Sequence, residues 1–418
     1  MPDSAFSGRC FSKEDSDVPR LYMDNAATSF PKPRSVHEAM SRYATESGAS
    51  PGRGGYREAR EIGAIIHECR ARLCDLIHGE RAESIIFTSN CTDALNLAIK
   101  GLVDPRVGGH AICTHTDHNS ILRPVNAMAE LGWIDQTRVP IDPGSGQVDP
   151  EDIRRAIRRD TRLIAITHGS NVTGAIQPIR AIGKIAREAG VPLIVDAAQT
   201  AGHIPIDVQA DCIDLLAAPG HKSLLGPPGT GFLYLTPGME KRVRPLKEGG
   251  TGSLSEEPRQ PDLMPDRYES GSLNAIGIAG LLEGVKWVEA HTIEKLAAMD
   301  QDLVRTFIEG LDGITGLTYF GPQGVRDRIG VFSVRLDCMG AADLSTALEE
   351  HYGILTRAGL HCAPLVHRAI GTADLGGTTR FSFGPFLSRQ DVSFATDALA
   401  QIATDQLEGR AAQLKGHT

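Results

Sequence analysis

The sequence predicts an α/β protein with a mostly parallel sheet between two layers of helices, and three observations lead there. Short apolar runs recur at residues 84–88, 111–114, 163–167, 193–196, 214–218 and 231–235. Each is four to six residues long and apolar on both faces, as parallel strands covered on both sides must be. Helical patterns lie between the runs, and alternation of this kind builds a sheet with helices on both faces. The chain of 418 residues is long enough for two to four domains and buries an ample core.

The elements follow in order. Ile62, Ile65, Ile66, Cys69, Leu73, Leu76 and Ile77 share one face at three-to-four spacing. The stretch 179–189 is helical and Gly190 closes it, since glycine accepts the left-handed stop. Residues 249–270 interrupt the pattern with Gly249, Gly250, Gly252, Pro258, Pro261 and Pro265. A loop that long in a compact domain is usually functional or disordered. A helix is expected over 277–290. After it the texture changes: 329–336 and 378–383 alternate like half-exposed strands, while 344–351 and 392–402 read as helices. We therefore expect a large unit over 36–290 and a small α+β unit from 1–35 and 291–418, with residues 1–20 a poorly ordered tail.

Composition narrows the function. Charged residues make up 23% and the net charge is −9, so no broad basic surface is expected. That argues against nucleic acid and an anionic membrane as partners. No run of about 18 apolar residues occurs, so no spanning helix is expected. The polar N-terminus does not read as a secretory signal. The eight cysteines are irregularly spaced and form no C-x-x-C, which argues against a metal site and a disulfide framework. Reduced thiols in the cytoplasm are the expectation.

Five segments carry chemistry, each following a strand. Gly220-His221-Lys222 ends one among glycines and prolines. A lysine held there suits a Schiff-base role, which needs an amine of lowered pKa on a rigid support. In isolation it would read as a loop lysine. Asp196 ends the run Leu193-Ile194-Val195, and ligands of open α/β sheets bind outside the carboxyl ends of strands. An acid there pairs with a cationic ring nitrogen or caps a helix. Thr88 to Asn96 passes from strand to helix through small polar residues, a phosphate cradle or ordinary capping by Thr92. His118 follows the run 111–114 and could stack on a planar ring or shuttle protons. Asn171 follows the run 163–167 and can donate to a phenolic oxygen or a carboxylate.

The order Asn25-Ala26-Ala27-Thr28, Thr92, Asp117-His118, Ser170-Asn171, Asp196-x-x-Gln199, Gly220-His221-Lys222 and Arg380 resembles the cysteine desulfurases. These are class V aminotransferases of pyridoxal-phosphate fold type I, and the likeness spans roughly 20–405. It implies a large domain with a seven-stranded, mostly parallel sheet, a smaller α+β domain, and pyridoxal 5'-phosphate as cofactor. It implies that Lys222 carries the cofactor and moves protons. Asp196 would hold the ring nitrogen protonated, His118 stack on the ring, Gln199 contact its phenolic oxygen, and Thr92 and His221 bind the phosphate. Asn171 and Arg380 would hold the substrate carboxylate, Arg380 as a bidentate fork. Ser272 matches a residue that reaches the phosphate of a neighbouring subunit, which implies a homodimer.

The segment Arg357-Ala358-Gly359-Leu360-His361-Cys362-Ala363-Pro364 resembles the short, ordered loop of the SufS/CsdA group. Cys362 would take sulfur from L-cysteine as a persulfide, leaving L-alanine, and pass it to a sulfur-acceptor protein. Arg357 or a protonated His361 would favour its thiolate. L-Selenocysteine cleavage, or another class V reaction, is the alternative. Two departures stand out. Pro219 replaces the usual Ser or Thr phosphate ligand, and Asp117 replaces the usual Glu.

Overall fold

A computed structural model describes residues 20–51, 54–337 and 339–415. The expected tail lies outside them apart from Arg20, and so do Cys10 and Cys338.

The strands are β1 Leu21–Tyr22, β2 Ile85–Thr88, β3 His110–Thr114, β4 Asp135–Val139, β5 Thr161–Thr167, β6 Leu193–Asp196, β7 Leu215–Pro219 and β8 Gly231–Leu235, then β9 Leu317–Tyr319, β10 Val331–Leu336, β11 Ile354–Leu355, β12 Arg357–Gly359 and β13 Thr378–Ser382. The helices are α1 Arg34–Arg42, α2 Arg57–Leu76, α3 Cys91–Gly101, α4 Asn119–Glu130, α5 Pro150–Ala156, α6 Ile179–Ala189, α7 Ala275–His291, α8 Ile293–Leu311, α9 Ala341–Tyr352, α10 Pro364–Ala369 and α11 Arg389–Lys415.

Seven strands form the main sheet in the order β2-β8-β7-β6-β5-β3-β4. Alternate residues of each strand feed opposite cores. Ile112, Ile164, Val195, Leu216 and Phe232 meet α2, α6 and α7 on one face. Ala111, Leu163, Ile194, Leu215 and Leu233 meet α3 and α4 on the other. Both faces are dry, which is why the runs read as continuously apolar. Two points differ from the sequence reading. The run at 231–235 is antiparallel to both its neighbours, β7 and β2, so it is not one of the parallel strands. Composition cannot distinguish a buried antiparallel strand from a buried parallel one. The seventh strand, β4, escaped notice because it is an edge strand of mostly polar, half-exposed residues (DQTRV).

The carboxyl ends of β2, β3, β5, β6 and β7 all lie on one edge, because β8 alone runs the other way. Every chemistry-bearing segment of the sheet therefore converges there.

A second sheet, β12-β13-β10-β9, is antiparallel. Its core unites Leu21 and Met23 with Phe307, Phe332, Phe381 and Leu399. β10 and β13 are not half-exposed as their alternation suggested; nearly every residue is buried. Their polar side chains satisfy one another internally, as in the 2.8 Å bond from Thr378 Oγ1 to Ser333 Oγ. Residues 249–270 contain no helix or strand. The far end of that segment is pinned by Glu269, which takes a bidentate bond from buried Arg70 at 2.7 and 2.8 Å and another from the Phe87 amide at 2.6 Å.

Candidate active site

A cleft with about 800 Å³ of empty space, partly open to solvent, lies over that sheet edge. Its size suits a cofactor plus a small substrate. Lys222, Asp196, His118, Gln199, Thr92, His221, Asn171, Arg380 and Cys362 all line it.

The floor comes from strand ends. Asp196, the last residue of β6, is 2% exposed. Its Oδ1 accepts from the Ala198 amide at 2.9 Å and the Cys91 thiol at 3.4 Å. Its Oδ2 has no partner among the described residues and remains for a donor in the cleft. Burial pushes the carboxyl up, while Ala198, Lys222 and Cys91 pull it back. Lys222 follows β7 and sits within a turn in which Leu225 N donates to Lys222 O at 2.8 Å and Gly226 N to Gly220 O at 2.8 Å. Burial pushes its amine below the ordinary lysine value, against the opposing charge of Asp196. An amine kept low in this way is the nucleophile imine chemistry requires.

His118 caps α4. Its Nδ1 accepts from the Ser120 amide at 3.1 Å, which leaves the hydrogen on Nε2. Burial and Lys222 push its pKa down to about 4, so the ring is neutral. Asp117 anchors this segment by accepting from Thr114 N at 2.6 Å and Thr167 N at 2.7 Å, tying the ends of β3 and β5 together. Its shorter side chain reaches both amides. Asn90, and not Thr92, caps α3, accepting from Asp93 N at 2.9 Å. The Thr92 hydroxyl instead lies 2.7 Å from Ser120 Oγ and is exposed to the cleft. His221 Nδ1 meets Thr28 Oγ1 at 3.0 Å, and burial pushes the ring down to about 4. Gln199 donates to Ala26 O at 3.0 Å.

The opposite wall comes from the second sheet. Ala363 N donates to Leu360 O at 3.0 Å, and both residues between, His361 and Cys362, have positive φ, 48° and 58°. That is the backbone of a tight primed turn, and each non-glycine residue in it costs on the order of 1 kcal/mol. Three bonds hold it: Asn171 Nδ2 to His361 O at 2.6 Å, Asn119 N to Cys362 O at 2.8 Å, and His361 Nε2 to Thr378 O at 3.2 Å. At about 0.5–1.5 kcal/mol each they offset the turn's cost. Among the described cysteines Cys362 is the exposed one; Cys69, Cys74, Cys91, Cys113 and Cys212 are buried.

The turn corrects one expectation. His361 is 5% exposed, and burial together with Arg380 drives its pKa far below the ordinary value. It is neutral and cannot serve as the cation beside Cys362. Arg357 is exposed and lines the same cleft as Cys362. Asn171 also differs: its amide nitrogen is committed to the turn. Arg380, 2% exposed, pairs through Nη2 with Asp24 and donates through Nη1 to Asn171 O at 3.3 Å.

Ser272 is not brought to this cleft. It lies exposed beside a separate hollow with Thr88, Lys247 and Asn274. Cys91, Ser120 and Asp24 were missed as site residues. Each acts on another side chain across the fold, and no local motif announces that.

The family described as Aminotransferase class-V matches residues 21–394. A probable cysteine desulfurase of Methanothermobacter thermautotrophicus is 32% identical over 394 residues, covering 93% of this chain and 96% of that protein. The apo structure of a cysteine desulfurase from Thermococcus onnurineus NA1 superposes with a TM-score of 0.85 at 30% identity, covering 92% of this chain and 95% of that one. The cysteine desulfurase CsdA (S-sulfonic acid) of Escherichia coli gives 0.82 at 26%, covering 92% and 94%. With a core of strand-end acid and lysine, and a cysteine turn facing them, this chain belongs to the aminotransferase class-V family and stands within it among the cysteine desulfurases.

Proposed function

We propose that the protein is a pyridoxal-phosphate-dependent cysteine desulfurase: L-cysteine and the Cys362 thiol give L-alanine and a Cys362 persulfide. The observation that carries this is the exposed Cys362, on a turn bonded to the cofactor wall through Asn171 and Asn119, facing the cleft that holds Lys222. The residues present fit the cofactor. Asp196 offers one uncommitted oxygen for a ring nitrogen, His118 a neutral ring for stacking, and Thr92 with His221 polar groups for phosphate.

When bound, pyridoxal phosphate supplies an electron sink for the substrate carbons. The chain does the rest. Asp196 would hold the ring nitrogen and keep its proton there. Lys222 binds the cofactor and then moves a proton at its Nζ. Gln199 would contact the phenolic oxygen. Arg380, held in place by Asp24, would take the substrate carboxylate, while the Asn171 amide holds the turn. The Cys362 sulfur attacks the substrate sulfur. The C–S bond breaks, its electron pair passes to the carbon skeleton, and a proton there completes alanine. The sulfur stays on Cys362 as S–SH for a sulfur-acceptor protein.

Ser272 supports a homodimer. A residue of its motif stands outside its own cleft, exposed, where a second copy could receive it. The division into units 36–290 and 1–35 with 291–418 is supported by the separate core that joins Leu21 and Met23 to residues beyond 300. No helix among the described residues is long and apolar enough to cross a membrane. With unpaired thiols, that fits a cytoplasmic enzyme.

The test is direct. Purified protein, loaded with pyridoxal phosphate, is incubated with L-cysteine and a reductant, and alanine and sulfide are quantified. Equal amounts of both are expected. Ammonia and pyruvate in place of alanine would assign a different reaction.

A further inference from the structure

Cys91 is a buried thiol that the reaction above does not use. It opens α3, while Asn90 before it does the capping, so its side chain is free to turn inward. There its Sγ lies 3.4 Å from Asp196 Oδ1. The two oxygens of Asp196 are thus in different situations. Oδ1 takes two protein donors, the Ala198 amide and the Cys91 thiol. Oδ2 belongs to a side chain 2% exposed, on the cleft wall, and has no partner among the described residues. That oxygen is the one a donor in the cleft can reach.

We infer that Cys91 is a positioning residue: by donating to Oδ1 it orients Asp196 and weakens its hold on a proton, so that the proton shared with the cofactor's ring nitrogen stays on the ring. This rests on the cofactor reading above. The thiol is suited to the task because burial and Asp196 push its pKa well up, so it remains S–H and donates. The other titratable groups around Asp196 are Lys222 after β7 and Asp117 after β3. Neither donates to its oxygens. Cys91 is therefore the side chain that sets the acid's hydrogen bonding from behind.

The consequence is spectroscopic. A cationic ring lowers the proton affinity of the nitrogen that Lys222 contributes. Removing the S–H donor moves the shared proton toward Asp196, makes the ring less cationic and raises that affinity. We would load wild type, Cys91→Ala and Cys91→Val with pyridoxal phosphate and follow visible absorption against pH. The midpoint should rise by about half a pH unit in both variants, a shift suited to one weak donor. Alanine leaves a void and valine fills it, so a packing effect would separate the two where loss of the donor would not. Midpoints equal to wild type in both, or a shift in only one, overturn the role given to Cys91. A wild type that acquires no visible band overturns the cofactor reading, and this inference falls with it.

Discussion

The floor and the facing turn of the cleft are built by opposite strategies. The floor rests on five parallel strand ends buried in two cores, and its side chains inherit the rigidity of the sheet. The turn carrying Cys362 belongs to another sheet, uses two left-handed residues, and depends on bonds from Asn171 and Asn119. The difference matches the chemistry. A cofactor must be held still, whereas a sulfur carrier must meet the substrate and then a second protein. Damage to the floor should therefore abolish every reaction of the cofactor, and damage to the turn only the transfer of sulfur.

Lys222→Ala gives the largest expected effect. Alanine formation from L-cysteine and from L-selenocysteine should both fall by roughly a thousandfold or more, since proton transfer by a placed side chain alone is worth about 10²–10⁴. Cofactor should still be retained noncovalently, as absorption after gel filtration would report. Turnover at the wild-type rate would refute the assignment of the floor.

Cys362→Ala tests the turn. With L-cysteine, activity should drop to background in kcat with KM little changed, because an attacking group is lost and not a binding contact. With L-selenocysteine much of the activity should survive, since selenium leaves without a nucleophile to take it. Mass spectrometry after one turnover should place the extra sulfur on the Cys362 peptide in wild type only. Persulfide on Cys91 or Cys113 would show that the turn is not the acceptor.

Asn171→Ala asks whether the two regions are coupled. It removes the 2.6 Å bond to His361 O and leaves the left-handed turn with fewer anchors. A loss of about 0.5–1.5 kcal/mol in stability is expected by denaturant titration. The desulfuration rate should fall more than the selenocysteine rate. Equal losses with both substrates would mean that Asn171 acts on the cofactor or carboxylate and not through the turn.

The same division governs what could be read from the sequence. The floor was legible because a buried strand followed by small polar residues announces both its element and its ligand edge; Asp196, Lys222 and His118 each kept an ordinary structural reading until the order of all the segments was taken together. β4 was lost because an exposed edge strand has no apolar signature, and the direction of β8 because pairing is nonlocal. Around the turn, Cys362 was singled out by the resemblance of its segment, and its polar, Gly- and Pro-containing flanks spoke only against a core position. The neutral state of His361 was not, since it depends on burial against β13 and on Arg380. Cys91, Asp24 and the commitment of Asn171 to His361 are contacts between residues about 100 to 360 apart in sequence, which no spacing rule encodes.

The smallest expected effect tests how completely the floor is built. Pro219 ends β7 on the cleft wall, opposite Gly231 of β8. Proline offers neither a hydroxyl nor an amide hydrogen there. On the proposed reading the phosphate would be left to Thr92, His221 and the head of α3. Pro219→Ser restores a hydroxyl at the end of the strand without altering the sheet's apolar faces, since Leu215, Leu216, Ala217 and Ala218 are untouched. One added hydrogen bond at about 0.5–1.5 kcal/mol should tighten pyridoxal phosphate binding by roughly two- to tenfold. Equilibrium dialysis of the two apoproteins measures this directly. Rates with saturating cofactor should hardly move, because the added group acts on cofactor binding and not on the bonds that change. Unchanged affinity would mean that the phosphate sits out of reach of residue 219, and that Thr92 and His221 already satisfy it.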